Sequence, residues 1–578
     1  MLSNIAYLCL SFLAVGVRGL ANCPPPSEPH LPVPSLSATE LSVLQHNLTA
    51  ELNNRSTAAA ASDPSYANYS ISLAVTGMGD TPFVTYSYGP EGTGVTTDSI
   101  FRIGSVSKVF AVYEALVNGL DLGDPVAKWI PEFRKDGFDE ITVRGLAGYI
   151  SGLTRDYPIN DISVVGSEFE IVHLIREAVP IPESDKPSCS LPRAALESGG
   201  RACSAEDYIN ILSTRPPIYP SNSFPAYSNV AYDLLGHIIT VKNGTSSSDL
   251  VTRDIAVSLN MSRTSLLKPS NDSLGIIPTE TANSAWYEDF GWASWSGGMY
   301  STASDLARFA RAILKGLDPN TGDSGDAIRL PPQVLREWLH PMTYTSSSAA
   351  FLGLPWEDFR PSVTGLNGGF PFTVHNKAGG ITGYSGELAI VPEYGFGLAV
   401  LASEGPETIA GDTRSFLVER VARFLEAARV KNAREAYAGR YSSGSVNRTS
   451  VIELEVPDNG LGLRVREWKL PDLDIAAAIT AIKLRGTPPD LQPNTTSIRF
   501  YPAPAGMGDT WRYFFNASLP VSSDPIAGGL CEEYTDADQY YYGNQPLDMI
   551  RFIRDEADQN VVGVEIPWLR LELTKESP

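Results

Sequence analysis

Histidine and cysteine are scarce in this chain: 578 residues hold six and five of them. The histidines are scattered and the cysteines do not stand at ligand spacing, so no metal site is expected. Basic residues are also short, 44 Lys and Arg against 66 Asp and Glu, for a formal net charge of −22. So acidic a surface repels phosphate backbones and anionic lipid, which argues against nucleic acid and acidic membrane as partners. Beyond the N-terminus no apolar run approaches the ~20 residues that a membrane span needs. The pattern Gly-x-Ser-x-Gly is absent, which argues against the strained nucleophile turn of the α/β-hydrolases.

What is present suggests a large exported protein. Apolar residues make up 43% of the chain, enough for a sizeable core, and the length predicts more than one domain. Ile5 to Val17 is a short apolar run, followed by the small-residue site Gly19-Leu20-Ala21. Residues 1–21 are therefore expected to be a signal peptide and the mature protein to be secreted, with no membrane contact after cleavage. Asn47, Asn54, Asn68, Asn243, Asn260, Asn271, Asn447, Asn494 and Asn516 each head an Asn-x-Ser/Thr sequon, as expected of a glycoprotein. Loss of the leader removes Cys9 and leaves Cys23, Cys189, Cys203 and Cys531. Four cysteines in an oxidising compartment allow three pairings. The favoured one staples Cys189 to Cys203 locally and leaves Cys23 for Cys531.

The chemistry concentrates in Phe101-Arg102-Ile103-Gly104-Ser105-Val106-Ser107-Lys108. Ser105 and Lys108 are three apart, so on a helix their side chains share one face. A serine hydroxyl needs a group to take its proton, and a buried lysine of lowered pKa can serve. A helix start also offers free N–H groups to developing negative charge. Ser265-Leu266-Leu267-Lys268 fits the same pattern, so the partners decide. A workable set adds Tyr-x-Asn and then Lys-x-Gly. Tyr66-Ala67-Asn68 comes too early, Tyr542-Gly543-Asn544 has no Lys-x-Gly after it, and Lys135 and Lys242 stand in the wrong order or too close. One ordered set survives: Ser105/Lys108, Tyr227/Asn229 and Lys377/Gly379.

With these motifs the chain resembles the serine β-lactamase and penicillin-binding protein superfamily, nearest to its class C and D-aminopeptidase/esterase branch in a long secreted fungal form. The likeness covers roughly residues 35–430. It includes Leu120-Asp121-Leu122-Gly123-Asp124-Pro125-Val126, Ser151-Gly152-Leu153, Ser296-Gly297-Gly298-Met299-Tyr300-Ser301-Thr302-Ala303-Ser304-Asp305-Leu306 and Gly379-Gly380-Ile381-Thr382-Gly383-Tyr384-Ser385-Gly386. The resemblance implies an α/β (α+β) transpeptidase-like fold, an antiparallel sheet flanked by helices with a helical subdomain. It implies Ser105 as nucleophile, Lys108 and Tyr227 as its proton acceptors, Asn229 orienting Lys108 and the substrate amide or ester, and Lys377 holding positive charge near Tyr227. The backbone N–H groups of Ser105 and Gly380 would form the oxyanion hole. It implies no cofactor and a small-molecule ester or amide substrate, and it sets no oligomeric state. One departure matters: the family's Lys-Thr-Gly is Lys377-Ala378-Gly379 here. The missing hydroxyl removes a contact to a substrate carboxylate and points to an esterase, amidase or acyl-transfer enzyme acting on an uncharged acyl group. An acyl-transferring or ring-closing tailoring enzyme of fungal secondary metabolism, and a non-catalytic ligand-binding relative, are the alternatives. His375 is expected to be structural, and Trp286, Trp292, Trp295 and Trp356 to be partly core.

Along the chain, residues 38–56 have helical spacing and Ser70–Thr76 and Pro82–Tyr88 alternate as strands. A helix is expected from Ser105 to about Val117, and another after Tyr227. Residues 155–225 show few regular signals and many prolines, and are expected to overhang the site. Thr302-Ala303-Ser304-Asp305 starts a helix. Phe372–Lys377, Glu387–Pro392 and Gly397–Ala402 are expected strands, closed by an amphipathic helix through Phe416, Leu417, Val421, Phe424 and Leu425. The catalytic domain is placed at 22–435. Residues 436–578, short strand-like runs divided by Gly, Pro and Asn, form a separate β-rich, barrel-like domain.

Overall fold

The computed structural model describes residues 31–63, 66–156, 161–163, 170–189, 203–279, 285–318, 328–366, 371–444, 449–458, 460–483, 496–503, 509–517 and 538–577. The expected signal peptide, Cys23, Cys531, Asn447 and Asn494 lie outside them, as does the side chain of Asn516. The described residues divide into two compact units. One is Ala38–Pro361 with Thr373–Arg420, and the other gathers the described residues of Met1–Ser37, Ser362–Phe372 and Val421–Pro578.

In the first unit, helix α1 (Ala38–Ser62) is followed by strands β1 (Ser70–Thr76), β2 (Val84–Tyr88) and β3 (Phe101–Arg102). Helix α2 (Ser107–Val117) carries Lys108. Helices α3 (Glu170–Ala178) and α4 (Ala205–Thr214) come next, then α5 (Asn229–Asn243), strand β4 (Tyr300–Ser301) and helix α6 (Ala303–Leu317). Strands β5 (Thr343–Tyr344), β6 (Ala350–Leu352), β7 (Glu357–Phe359), β8 (Val374–Ile381), β9 (Tyr384–Val391) and β10 (Phe396–Ser403) lead into helix α7 (Ile409–Tyr437). The main sheet has eight strands in the order β2-β1-β10-β9-β8-β7-β6-β5, every neighbouring pair antiparallel. The expected antiparallel sheet with flanking helices is therefore present.

Burial explains the layering. β1 and β10 are buried at every position, the pattern of central strands covered on both faces. α6 packs against β1, β9 and β10. Its N-cap is Thr302, whose side chain accepts from Asp305 N. Arg414 near the start of α7 is 3.7 Å from Glu387 of β9. The large core takes in Phe110, Tyr113, Trp286, Trp295, Phe309, Trp338 and Trp356. Trp286, Trp295 and Trp356 are wholly buried, whereas Trp292 is half-buried and packs on Tyr208.

Two local expectations are corrected. Ser105 does not begin the α-helix. It sits in a 3₁₀ turn, Gly104–Val106, ahead of α2, because Gly104 takes φ +51°, a left-handed conformation that glycine alone adopts without strain. The 155–225 segment is also more regular than its prolines suggest, since it holds α3 and α4. Ser204 and Asp207 form a capping box that starts α4, and Cys189–Cys203 forms a disulfide with Cα atoms 5.0 Å apart.

The second unit is a barrel. Its strands are β11 (Gly439–Ser443), β12 (Ser450–Glu455), β13 (Leu463–Leu470), β14 (Leu473–Asp474), β15 (Thr496–Pro502), β16 (Thr510–Ala517), the hairpin β17 (Tyr541–Tyr542) and β18 (Gln545–Pro546), then β19 (Met549–Arg554), β20 (Val561–Ile566) and β21 (Leu571–Lys575). The sheet order is β12-β11-β21-β20-β19-β16-β15-β13-β14, and β12 also pairs with β13. That pairing closes the ring and, among the described residues of this sheet, leaves β14 outside it, which removes the exposed edges of an open sheet. Tyr441, Ile452, Trp468, Phe500, Trp511, Phe552 and Val564 fill the interior.

Candidate active site

Three backbone devices bring the motif residues together. The first is the turn Gly104–Val106. Ser107 Oγ donates to Gly104 O at 2.7 Å and accepts from Met299 N at 3.1 Å. This pins the turn to the segment ahead of β4. Behind it, buried Arg102 donates from Nη1 to Gly298 O at 2.6 Å and from Nε to Ala285 O at 3.0 Å.

The second device is the start of α5. Ser228, the middle residue of Tyr-x-Asn, is the N-cap: its Oγ accepts from Ala231 N at 3.0 Å and donates to Thr154 O at 2.7 Å. Asn229 N donates to Arg155 O at 2.8 Å. The cap turns the chain so that Tyr227 stands just outside the helix and Asn229 just inside, both toward Lys108.

The third is β8. A Cβ placed on Gly379 would lie 2.1 Å from Ile103 O and 3.0 Å from Ser105 N. A Cβ on Gly104 would lie 2.8 Å from Gly380 N. Strand and turn thus touch backbone to backbone, a contact that only glycine permits. It brings Ser105 N close to Gly379 and Gly380 N close to Gly104. The five predicted side chains and both backbone donors therefore meet in one place.

Ser105 Oγ is the focus. It accepts from Tyr227 OH at 2.6 Å and from Lys108 Nζ at 3.1 Å. Lys108 is fully buried and also donates to Asn229 Oδ1 at 2.6 Å and to Ser296 O. Its Nζ lies 4.9 Å from the Tyr227 ring centre and 5.2 Å from that of Tyr232. Burial pulls its pKa below the ordinary lysine value; Tyr227 opposes that fall and Lys377 adds to it. For Tyr227 burial acts upward, but the charges of Lys108 and Lys377 and the hydrogen bonds from Lys108 and Ser105 outweigh it. The phenol is held below its ordinary value. Tyr149 stacks on the Tyr227 ring with centres 5.4 Å apart, fixing its plane. Such a pair of bases, lowered toward neutrality around one serine, can take the proton of an attacking hydroxyl.

Four partners had no sequence signal. Glu357 Oε1 accepts from Lys377 Nζ at 2.5 Å, and Oε2 accepts from Ala378 N at 3.0 Å. Asp156 Oδ1 accepts from Asn229 Nδ2 at 2.6 Å. Ser296 supplies a carbonyl to Lys108. Asp233 is buried in α5. Desolvation, against hydrogen bonding from Ser296 and the charge of Lys108, pushes its carboxyl up to about 7. His375 is buried, its Nδ1 2.8 Å from Asp358 Oδ1. Of the sequon asparagines with described side chains, Asn47, Asn54, Asn68, Asn260 and Asn271 are exposed. Asn243 is half-buried, and its Nδ2 donates to Ile239 O at 2.8 Å.

A family model described as Beta-lactamase matches residues 55–422. A second, described as "Beta-lactamase-like-like, C-terminal domain", matches residues 429–577. The chain is 28% identical to the "Beta-lactamase-like protein" of Arthroderma benhamiae over 509 residues, 82% of this chain and 80% of that protein. A protein of Phoma sp. named a probable hydrolase is 23% identical, covering 75% of this chain and 71% of its own length. Among solved structures, a class C beta-lactamase is similar at 21% identity and a TM-score of 0.45, covering 67% of this chain and 95% of that one.

Proposed function

Because the chain belongs to the beta-lactamase family, we propose that it is a serine acyl hydrolase that works through an acyl-enzyme on Ser105 and acts on a small ester or amide. The observation that carries this is the convergence on Ser105 Oγ of Tyr227 OH at 2.6 Å and Lys108 Nζ at 3.1 Å. A ligand-binding protein has no use for two proton acceptors of lowered pKa around one hydroxyl.

With Tyr227 deprotonated, Ser105 Oγ attacks the acyl carbonyl carbon while its proton passes to the Tyr227 oxygen, with Lys108 as neighbouring acceptor. The carbonyl electron pair moves onto oxygen, which accepts hydrogen bonds from Ser105 N and Gly380 N. Such preorganised donors are worth about 3–4 kcal/mol each. Collapse of the intermediate expels the alcohol or amine, which takes the proton from Tyr227. Water gives a proton to the same group as its oxygen attacks the ester, and collapse releases the acid and returns that proton to Ser105 Oγ. Ala378 offers no hydroxyl to a substrate carboxylate, and Glu357 already pairs with Lys377 beside it. Both features support an uncharged acyl group. The N-terminal leader and the exposed sequons support a secreted glycoprotein.

The test is covalent labelling. Purified protein and Ser105→Ala are treated with a fluorophosphonate and a nitrophenyl ester and weighed intact. One adduct per chain, absent from the variant, is expected. A folded sample with neither adduct nor turnover refutes the reading. Repeating the ester assay with added alcohol separates hydrolysis, which releases the acid, from transfer, which yields a new ester.

A further inference from the structure

Asn229 lies between two groups that make opposite demands on its side chain. Its Oδ1 accepts from Lys108 Nζ at 2.6 Å, and its Nδ2 donates to Asp156 Oδ1 at 2.6 Å. Turning the amide over would set nitrogen against the lysine nitrogen and oxygen against the carboxylate, so that neither contact could be a hydrogen bond. Only one orientation satisfies both neighbours. The bond to the carboxylate is of the charge-assisted, stronger kind. The carboxylate itself is well held. The Asp156 side chain is only 16% exposed. Arg155 Nε donates to its Oδ2 at 3.2 Å, and Arg155 O accepts from Asn229 N at 2.8 Å.

We propose that Asp156 is a positioning residue that locks the Asn229 amide with its oxygen toward Lys108 and withholds its nitrogen from the substrate, so that the site favours acyl groups with no acylamino substituent beside the scissile carbonyl. The proposal rests on the acyl-enzyme reading above. An unengaged Asn229 Nδ2 would be a donor for a substrate amide carbonyl. Here that donor is committed to a carboxylate, a better acceptor than any neutral carbonyl. An acylamino substrate thus meets a site with less to offer its amide and pays the desolvation of that group without return.

The test compares the nitrophenyl esters of pentanoate and N-acetylglycine, which have acyl chains of equal length and differ by the amide. In wild type the pentanoate ester is expected to be preferred. In Asp156→Ala the ratio of kcat/KM for N-acetylglycine over pentanoate should rise about tenfold, as one hydrogen bond becomes available. Asp156→Asn keeps an oxygen for Asn229 Nδ2 and should retain the wild-type ratio. An unchanged ratio in the alanine variant, or an equal rise in the asparagine variant, overturns the proposal. Fluorophosphonate labelling counts competent sites in each sample. If the alanine variant does not label, Asp156→Ser, too short to reach Nδ2, is the substitute with the same expectation. Wild type that fails to label refutes the acyl-enzyme reading instead, so the two failures are distinct.

Discussion

Replacing Gly379 with alanine tests whether the nucleophile is positioned by the backbone contact between β8 and the Ser105 turn. The new Cβ would lie 2.1 Å from Ile103 O and 3.0 Å from both Ser105 N and Val106 N. All three obstacles are backbone atoms, so none can rotate aside. Restoring an ordinary contact requires strand and turn to separate by about 1.3 Å. Overpacking of this kind costs about 1–3 kcal/mol of stability, and a displacement of about 1 Å between reacting groups costs about 10²-fold in rate. The assay is the second-order rate of fluorophosphonate labelling at Ser105, paired with a thermal melt. Gly380→Ala is the stability control: nothing stands within 4 Å of a Cβ there, so it should melt with wild type. The reasoning is refuted if Gly379→Ala labels at the wild-type rate, or if Gly380→Ala loses as much stability as Gly379→Ala.

Tyr227→Phe removes the phenol from Ser105 Oγ and should slow labelling by about 10²–10⁴; a loss under threefold would assign the proton to Lys108 alone. The rate of wild-type labelling should rise with pH and level off below the ordinary tyrosine value of 10.0, because the deprotonated Tyr227 and Lys108 are the acceptors and both are lowered. Lys377→Ala removes a positive charge that lowers both, so the limb should move to higher pH; an unmoved limb refutes that coupling. In α2, burial first and Asp254 next push buried Glu114 up to about 8, from a reference value of 4.5. The folded state therefore holds an extra proton between those values, and this contribution to stability, full below pH 4.5, is lost as pH rises to 8. Glu114→Gln should escape the loss and gain on wild type by on the order of 4 kcal/mol between pH 5 and 8 in denaturant melts.

The legible part of the site is the part that spacing encodes. Ser105 and Lys108 are readable because one turn of helix aligns them. Tyr227 and Asn229 are readable because the N-cap between them, Ser228, fixes their directions. Lys377 and Gly379 are readable because a strand sets both on one face, Lys377 beside the Tyr227 ring and Gly379 where the turn approaches. In each case two residues and a backbone rule fix a geometry within a few positions. The central strands were legible for the same reason, as apolar runs between turn residues. The barrel strands were too, although ring closure depends on β12 meeting β13, which no local pattern states. Helix α3 escaped because among its residues only Val172 is buried, so its apolar spacing does not mark a core face. The capping box at Ser204 and Asp207 was a readable signal for α4 that the surrounding prolines masked.

Asp156 and Glu357 escaped for a deeper reason. Each is a single carboxylate brought to the site by a loop or an outer strand, and each acts on a motif residue rather than on Ser105. Glu357 reaches Lys377 from the first position of β7, opposite Asn376, where the strand ends and its side chain can bond both Lys377 Nζ and Ala378 N. The carboxylates around the site therefore depend on tertiary placement, while the motif residues depend on local spacing. A chain can keep every motif residue of its family and still change its substrate through such neighbours. Here Glu357 pairs with Lys377 and Asp156 holds the Asn229 amide, while Ser105, Lys108 and Tyr227 keep their contacts with one another.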